Sequence, residues 1–188
     1  MASSSIFAVR KAIVTWILSV LGLAEGRVMW NDQDNPKPTK SFVKLKLSAY
    51  EPIGWPVLLA PDDNGKAVVV TQNDFTLSIL HFASGAQDSI EELLKLQNSL
   101  WQEDQLSALR DAKIAFRTIL MGPTDACQLV DTSWETRGAM DLLMSCPFTT
   151  EDTQQGLLTS ANIEGYFKNG GITISGVSID VTTPSITE

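Results

Sequence analysis

The sequence predicts an α+β fold: an antiparallel or mixed β-sheet packed against two helices, with an extra N-terminal helix and a C-terminal β-arm. Three observations predict it. Residues 43–48 and 134–148 alternate apolar and polar side chains, the period of strands with one buried face. Residues 6–21 and 88–101 repeat apolar side chains every three or four positions, the period of helices laid on a core. Beyond Gly170 and Gly171 the alternation resumes, giving a terminal β segment. At 188 residues, 44% apolar and 19% charged, the chain can bury one core without covalent staples. The expected organisation is one domain over residues 1–169 and an extension over 170–188.

Taken in order, Ile6, Val9, Ile13, Ile17, Val20 and Leu21 form one helical stripe, thickened by Trp16 and Leu18, capped near Ser4 or Ser5 and stopped by Gly22. Arg10 and Lys11 ahead of the uncharged run 12–24 also fit the head of a secretion signal. That run is too short to span a bilayer and lacks a good small-residue cleavage motif, so a structural helix is expected. The acidic loop NDQDNPKPTK then leads into a strand with Val43, Leu45 and Leu47 on one face and Lys44 and Lys46 on the other. Residues 57–60 and 66–71 read as a hairpin through Asp62, Asp63, Asn64 and Gly65, since Asn-Gly supplies the positive φ values of a tight turn. Residues 75–82 form the next strand, with Phe75, Leu77 and Ile79 on one face and Leu80 and Phe82 on the other.

Asp88 and Glu91 have the spacing of a capping box, and Ile90, Leu93, Leu94, Gln97, Leu100 and Trp101 then give a packing face. A second helix spans 102–111 with Leu106 and Leu109. A strand over 114–121 is expected to stop at Gly122 and Pro123. The longest alternation puts Trp134, Thr136, Gly138, Met140, Leu142, Met144, Cys146 and Phe148 on one side of a single strand. Residues 163–167 give a short strand. In the terminal segment Ile172, Ile174, Val177, Ile179 and Val181 are the apolar positions, with Gly176 shifting the phase like a bulge. This segment either adds to the open edge of a neighbouring sheet or folds back on its own.

The chemistry of known catalytic motifs is missing. His81 is the single histidine, so Cys127 and Cys146 cannot complete a Cys/His zinc site; two buried free thiols are expected. Gly170 and Gly171 lack the spacing and the following Lys of a phosphate loop, and no G-x-S-x-G elbow occurs. A Ser-His-Asp triad would have to be built on His81 alone, and Glu151 and Asp152 read as solvated carboxylates. No catalytic residue, metal or cofactor is expected. The net charge of −8 opposes adhesion to phosphate backbones.

Three stretches, DQDNPKPTKSFVKLKLS, DFTLSILHFASGAQDSIEELLKLQNSL and SWETRGAMDLLMSCPFTT leading into NIEGYF, in this order resemble the neck or tail terminator proteins of tailed bacteriophages over residues 27–167. The resemblance implies a non-enzymatic virion protein that forms a ring, usually of six subunits, at the phage neck. Such a ring caps the tail tube, ends tail growth and joins the tail to the head-completion (connector) proteins. It implies contact with copies of itself, with the tail tube protein and possibly a sheath protein, and genomic DNA passing through the lumen without specific binding. It implies assembly in the host cytoplasm and no membrane. In a head-to-tail ring two different patches per subunit are needed. Lys37, Lys40, Lys44 and Lys46 against Asp32 and Asp34 or Asp62 and Asp63 are candidates, as are Ile172, Ile174, Val177, Ile179 and Val181 of the arm. Lysines on a solvated strand face serving solubility are the plain alternative. Another neck component such as a head-closure protein, or a small hydrolase or binding domain using His81 with a carboxylate, are the rival functions.

Overall fold

The computed structural model describes residues 6–32, 36–59, 67–84, 88–130, 133–152, 161–163, 167–169, 172–174 and 177–179. Two compact units divide the chain, residues 1–58 with 69–150, and residues 59–68 with 151–188.

In the first unit, helix α1 (Ile6–Leu21) buries Val9, Ile13, Trp16 and Ile17, residues that share one face at helical spacing. Gly22 ends it at φ +60°, and Leu23 N–H donates to Leu18 O at 3.3 Å, the Schellman closure that a left-handed glycine permits. Trp16, read from sequence as a flank of the stripe, lies at its centre: its Nε1–H donates to Ser99 Oγ at 3.0 Å. That bond satisfies a buried indole and ties α1 to the second helix.

Strand β1 (Val28–Trp30) pairs in parallel with β2 (Phe42–Pro52), Val28 opposite Val43. The sheet is therefore mixed, and its parallel edge carried no sequence signal because three consecutive buried residues show no period. Val43 and Leu45 of β2 are buried while Lys46 is exposed, as the alternation requires. Strand β3 (Val57–Leu59) pairs with β4 (Ala67–Phe82); the Asn64-Gly65 turn expected between them lies outside the described residues. The two strands expected over 66–71 and 75–82 are one. β2 continues to pair with β4 past a bulge between Ser48 and Glu51, with Glu51 opposite Asp74 and Pro52 opposite Asn73. The ladder thus carries polar residues 72–74 through. At the bulge Ala49 adopts φ +52°, which bends β2 beyond it.

Helix α2 (Ser89–Ser99) is capped by Asp88, whose Oδ1 accepts from Ile90 N–H at 2.8 Å. The capping box is half made: Glu91 reaches forward to Lys95 at 3.3 Å. The buried face is Ser89, Leu93, Leu96 and Ser99, followed by Leu100. Leu94 and Trp101, assigned to the packing face by sequence, are 42% and 69% exposed. The correction follows from the stripe 89-93-96-99/100, which puts two small serines, Ser89 and Ser99, inward.

Helix α3 (Glu103–Asp111) buries Leu109. Strand β5 (Ala115–Asp125) runs through Gly122 and Pro123, where the sequence predicted a stop. β5 is the last strand in the order β1-β2-β4-β8-β5, and its register with β8 (Arg137–Asp152) shifts between Met121 and Thr124. An edge strand tolerates proline where no ladder donor is needed. The long strand expected from Trp134 is broken. Trp134 belongs to β7 (Ser133–Glu135), which forms a hairpin with β6 (Gln128–Val130). Thr136 leaves the ladder, and its carbonyl accepts from Ala83 N–H at 3.1 Å.

Met140, Leu142, Met144 and Cys146 of β8 are fully buried, as are Phe75, Leu77 and Ile79 of β4. They meet Val9, Ile13, Ile17, Leu93, Leu96 and Leu109 in one cluster between the sheet and the three helices. A smaller cluster of Met29, Phe42 and Phe82 lies apart from it. Cys146 is buried as expected, but Cys127 is exposed, because it lies in the short connection between β5 and β6 rather than in a strand face.

In the second unit, β9 (Ala161–Ile163) pairs antiparallel with β12 (Val177–Ile179), and β10 (Phe167–Asn169) with β11 (Ile172–Ile174). Of the strand expected over 163–167, Ile163 lies in β9 and Phe167 in β10, and residues 164–166 lie outside the described residues.

Candidate functional site

The basic strand face forms a built surface. Phe42 stacks on Phe82 with centroids 4.3 Å apart and planes 5° from parallel. Lys44 Nζ lies 5.9 Å and Arg137 Cζ 5.1 Å from the Phe82 ring centre, so two cations share one aromatic face system. Arg137 Nε donates to Glu135 Oε2 at 2.8 Å and Nη1 to Gln128 Oε1 at 2.6 Å. Lys37 also bonds Glu135. Burial alone would raise the Glu135 carboxyl; the hydrogen bonds from Lys37 and Arg137 outweigh it and hold the group below its ordinary value. The loop before β2 is pinned by a reciprocal pair, Ser41 N–H to Ser84 Oγ and Ser84 N–H to Ser41 Oγ, both 3.0 Å.

These contacts sort the predicted lysines. Lys37 is committed to Glu135 within the subunit, and Lys44 is half-buried against Phe82. Lys40 and Lys46 are exposed. Lys37 and Lys40 line one recess of about 400 Å³ with Phe42, Phe82 and Glu135. Asp62, Asp63 and Val181 lie outside the described residues. Ile172 and Ile174 lie on β11 and Val177 and Ile179 on β12; each strand has one edge in a ladder within the unit, so docking there would use the other edge.

His81, the seed of the enzymatic alternative, is 1% exposed. Its Nδ1 is 3.2 Å from Ser89 Oγ. The Ser89 hydroxyl is within reach of the carbonyls of His81 at 3.3 Å and Thr136 at 3.4 Å. An Nδ1–H donating to Ser89 leaves the hydroxyl proton for one of the two carbonyls. Burial holds the imidazole pKa below its usual value, with Glu92 opposing. Ser89 is itself 1% exposed, so this pair joins α2 to β4 and is closed to a substrate. Among the described residues no three His, Cys, Asp or Glu side chains gather as a metal site, and no described helix is long and apolar enough to cross a membrane.

Sequence reasoning missed the exposed apolar groups, of which Trp101 and Trp134 share the spacing of core residues. Trp55 is 93%, Phe7 74%, Trp134 73% and Trp101 69% exposed. Trp55 follows Gly54, at φ +68°, beyond the bulge in β2. Trp101 is held edge-on against Phe116, centroids 5.8 Å apart.

The model of a family described as phage neck terminator protein matches residues 8–171. The chain belongs to that family. Membership makes it a structural protein of the phage neck. No curated protein sequence matches it. Among solved structures, it is similar to the sheath/tube terminator of an extracellular contractile injection system, PVC, in its extended state. The TM-score is 0.52 at 10% identity, over 92% of this chain and 66% of that one. At that identity the likeness is one of fold, and this chain spans just under two thirds of the other's length.

Proposed function

We propose that copies of this chain close into a ring, usually of six, that caps the tail tube, halts its growth and docks the head-completion proteins while DNA passes through the lumen. The observation that carries the proposal is the family match over residues 8–171. Two physical features support it. A net charge of −8 disfavours adhesion of a passing duplex, since like charges repel across the lumen. The exposed cations Lys40 and Lys46 offer one half of a charge-matched contact, for which Asp62 and Asp63 are candidates on the neighbouring copy. The similar solved chain is a sheath/tube terminator, which favours a sheath protein as a further partner. Residues 170–188 serve as an extension contacting a neighbouring copy or that partner, through the edges of β11 and β12 that have no ladder among the described residues.

Electron microscopy and sedimentation of the purified protein, alone and with tail tubes, test the proposal. A closed ring with a hole wide enough for a duplex, seated on tube ends, is the expected result. A monomer under both conditions overturns it.

A further inference from the structure

The order of the sheet separates two exposed apolar surfaces onto opposite edges of the first unit. At the edge formed by β1, helix α1 packs on the strand, and beside it runs a recess of about 450 Å³ floored by Val14, Leu18 and Trp30 and rimmed by Phe7, Arg10 and Lys11. Phe7 is 74% exposed there. Arg10 lies 4.9 Å over the Trp30 ring and donates to Asp32 at 2.8 Å, and its Nε, shielded from solvent, has no hydrogen-bond partner among the described residues. At the other edge α2 packs on β5. There Trp101 stands out, 69% exposed, with Leu120 at 52% and Leu94 at 42%.

We propose that the Trp101 flank of one copy seats in the α1–β1 recess of the next. The proposal rests on the ring reading above and names the two surfaces that close it. Three properties match the surfaces to each other. They lie on opposite edges of one sheet, β1 at one end of the strand order and β5 at the other, which is the arrangement a head-to-tail contact needs and a two-fold contact does not. The recess has the size of a pocket for a large side chain, and Trp101 is braced on Phe116, so little rotamer freedom is lost on seating it. The charges agree as well. Beside Trp101, Asp104 is exposed and Glu103 is paired with Arg110 at 2.9 Å, whereas on the rim Arg10 is paired with Asp32 at 2.8 Å and Lys11 is exposed. Asp104 of one copy therefore meets Lys11 of the other.

The test uses the full chain with Cys127→Ser as background. Thr15→Cys and Gln102→Cys replace exposed residues beside the recess and beside Trp101. Mild oxidation of the double variant is expected to give a ladder of covalent oligomers ending at the ring, and neither single variant gives it. Separately, Trp101→Asp is expected to raise the concentration needed for ring formation by roughly thirtyfold or more, as for a central aromatic anchor. Trp101→Phe is expected to keep most of the assembly. Melting temperatures close to the parent check that both remain folded. Rings formed by Trp101→Asp at the parent's concentration, or the absence of a ladder from a double variant that still forms rings, overturn this inference and leave the ring standing. A parent protein that forms no ring with or without tail tubes overturns the ring and this inference together.

Discussion

Gly138 is where β8 passes closest to α2, and replacing it by alanine tests the packing of helix on sheet. A Cβ added there would lie 2.9 Å from Leu93 Cδ1, 3.1 Å from Ser89 Cβ and 3.1 Å from Ser89 O. The leucine methyl can rotate away at little cost. Ser89 cannot: it sits in the first turn of α2 behind the Asp88 cap, and its hydroxyl holds the 3.2–3.4 Å contacts to His81 and Thr136. Accommodation therefore moves the start of α2 or strains it, a cost of about 1–3 kcal/mol for overpacking. Loss of glycine's freedom in the unfolded chain returns about 0.4–1 kcal/mol, so a net destabilisation of roughly 1–2 kcal/mol is expected. For a chain of this size that lowers Tm by about 2–8 °C. Gly22→Ala is the matched control. Nothing lies within 4 Å of its added Cβ, but its φ of +60° costs about 1–2 kcal/mol by backbone strain alone. Thermal melts by circular dichroism, with amide exchange at residues 89–93, separate the two. An unchanged or raised Tm for Gly138→Ala, with unchanged exchange at the start of α2, would refute the close approach.

The buried imidazole makes stability fall with acidity. Because the folded pKa of His81 lies below its unfolded value of 6.5, the unfolded chain takes up the proton first as pH drops through 6.5, and stability is lost down to the folded pKa. Urea midpoints between pH 7.5 and 5.5 should fall in the parent and fall less in His81→Gln; parallel profiles would count against a neutral buried ring. Glu135 acts at lower pH, with a shift in the same direction but from hydrogen bonds to cations. Its depressed carboxyl stabilises the fold above its ordinary value of 4.5 and loses that contribution as pH falls through the folded value. With Lys37 58% exposed, Glu135→Gln should cost about 1 kcal/mol or less at pH 7 and flatten the acid limb of the stability profile. The thiols should separate by burial, since Cys127 is exposed and the Cys146 thiol is pushed up to about 11 by burial. A maleimide should add once, at Cys127, to the native chain and a second time only after unfolding; rapid double labelling would mean that β8 opens readily.

The fold was legible where one face of an element is buried and the other wet. Val43 and Leu45 against Lys46, and Phe75, Leu77 and Ile79 in a row, follow the pleat and were read correctly down to the residue. The errors have a common origin: local breakers were weighed without knowing the neighbouring strand. Pro123 and the polar run 72–74 look like ends of strands, yet one lies on an edge that needs no donor and the other is carried by an intact ladder with β2. Leu94 and Leu96 are indistinguishable by hydrophobicity. Their faces are decided by Ser89 and Ser99, small groups that let α2 approach Gly138 and Trp16, and a serine on a core face carries no hydropathy signal.

The surface proposed for assembly is visible in the sequence only through its charge. Lysines 37, 40, 44 and 46 stand out in an acidic chain, but which of them is free depends on Glu135 and Phe82, which come from β7 and β4 and are distant in sequence. The apolar half was hidden for a deeper reason: an interface residue obeys the same water-exclusion preference as a core residue, so Trp101 falls on the heptad-like pattern of α2 and was counted as core. What distinguishes it is that the three-helix layer is already complete without it. Leu93, Leu96 and Leu100 are fully buried, while Trp101 stands edge-on to Phe116 and stays largely exposed. An aromatic that the monomer braces but does not cover loses little entropy and gains most of its burial only when a second surface arrives. If amide and side-chain protection at Trp101 proved the same in dilute monomer and in the assembled ring, that reasoning would fail, because the ring would then be closed by some other surface.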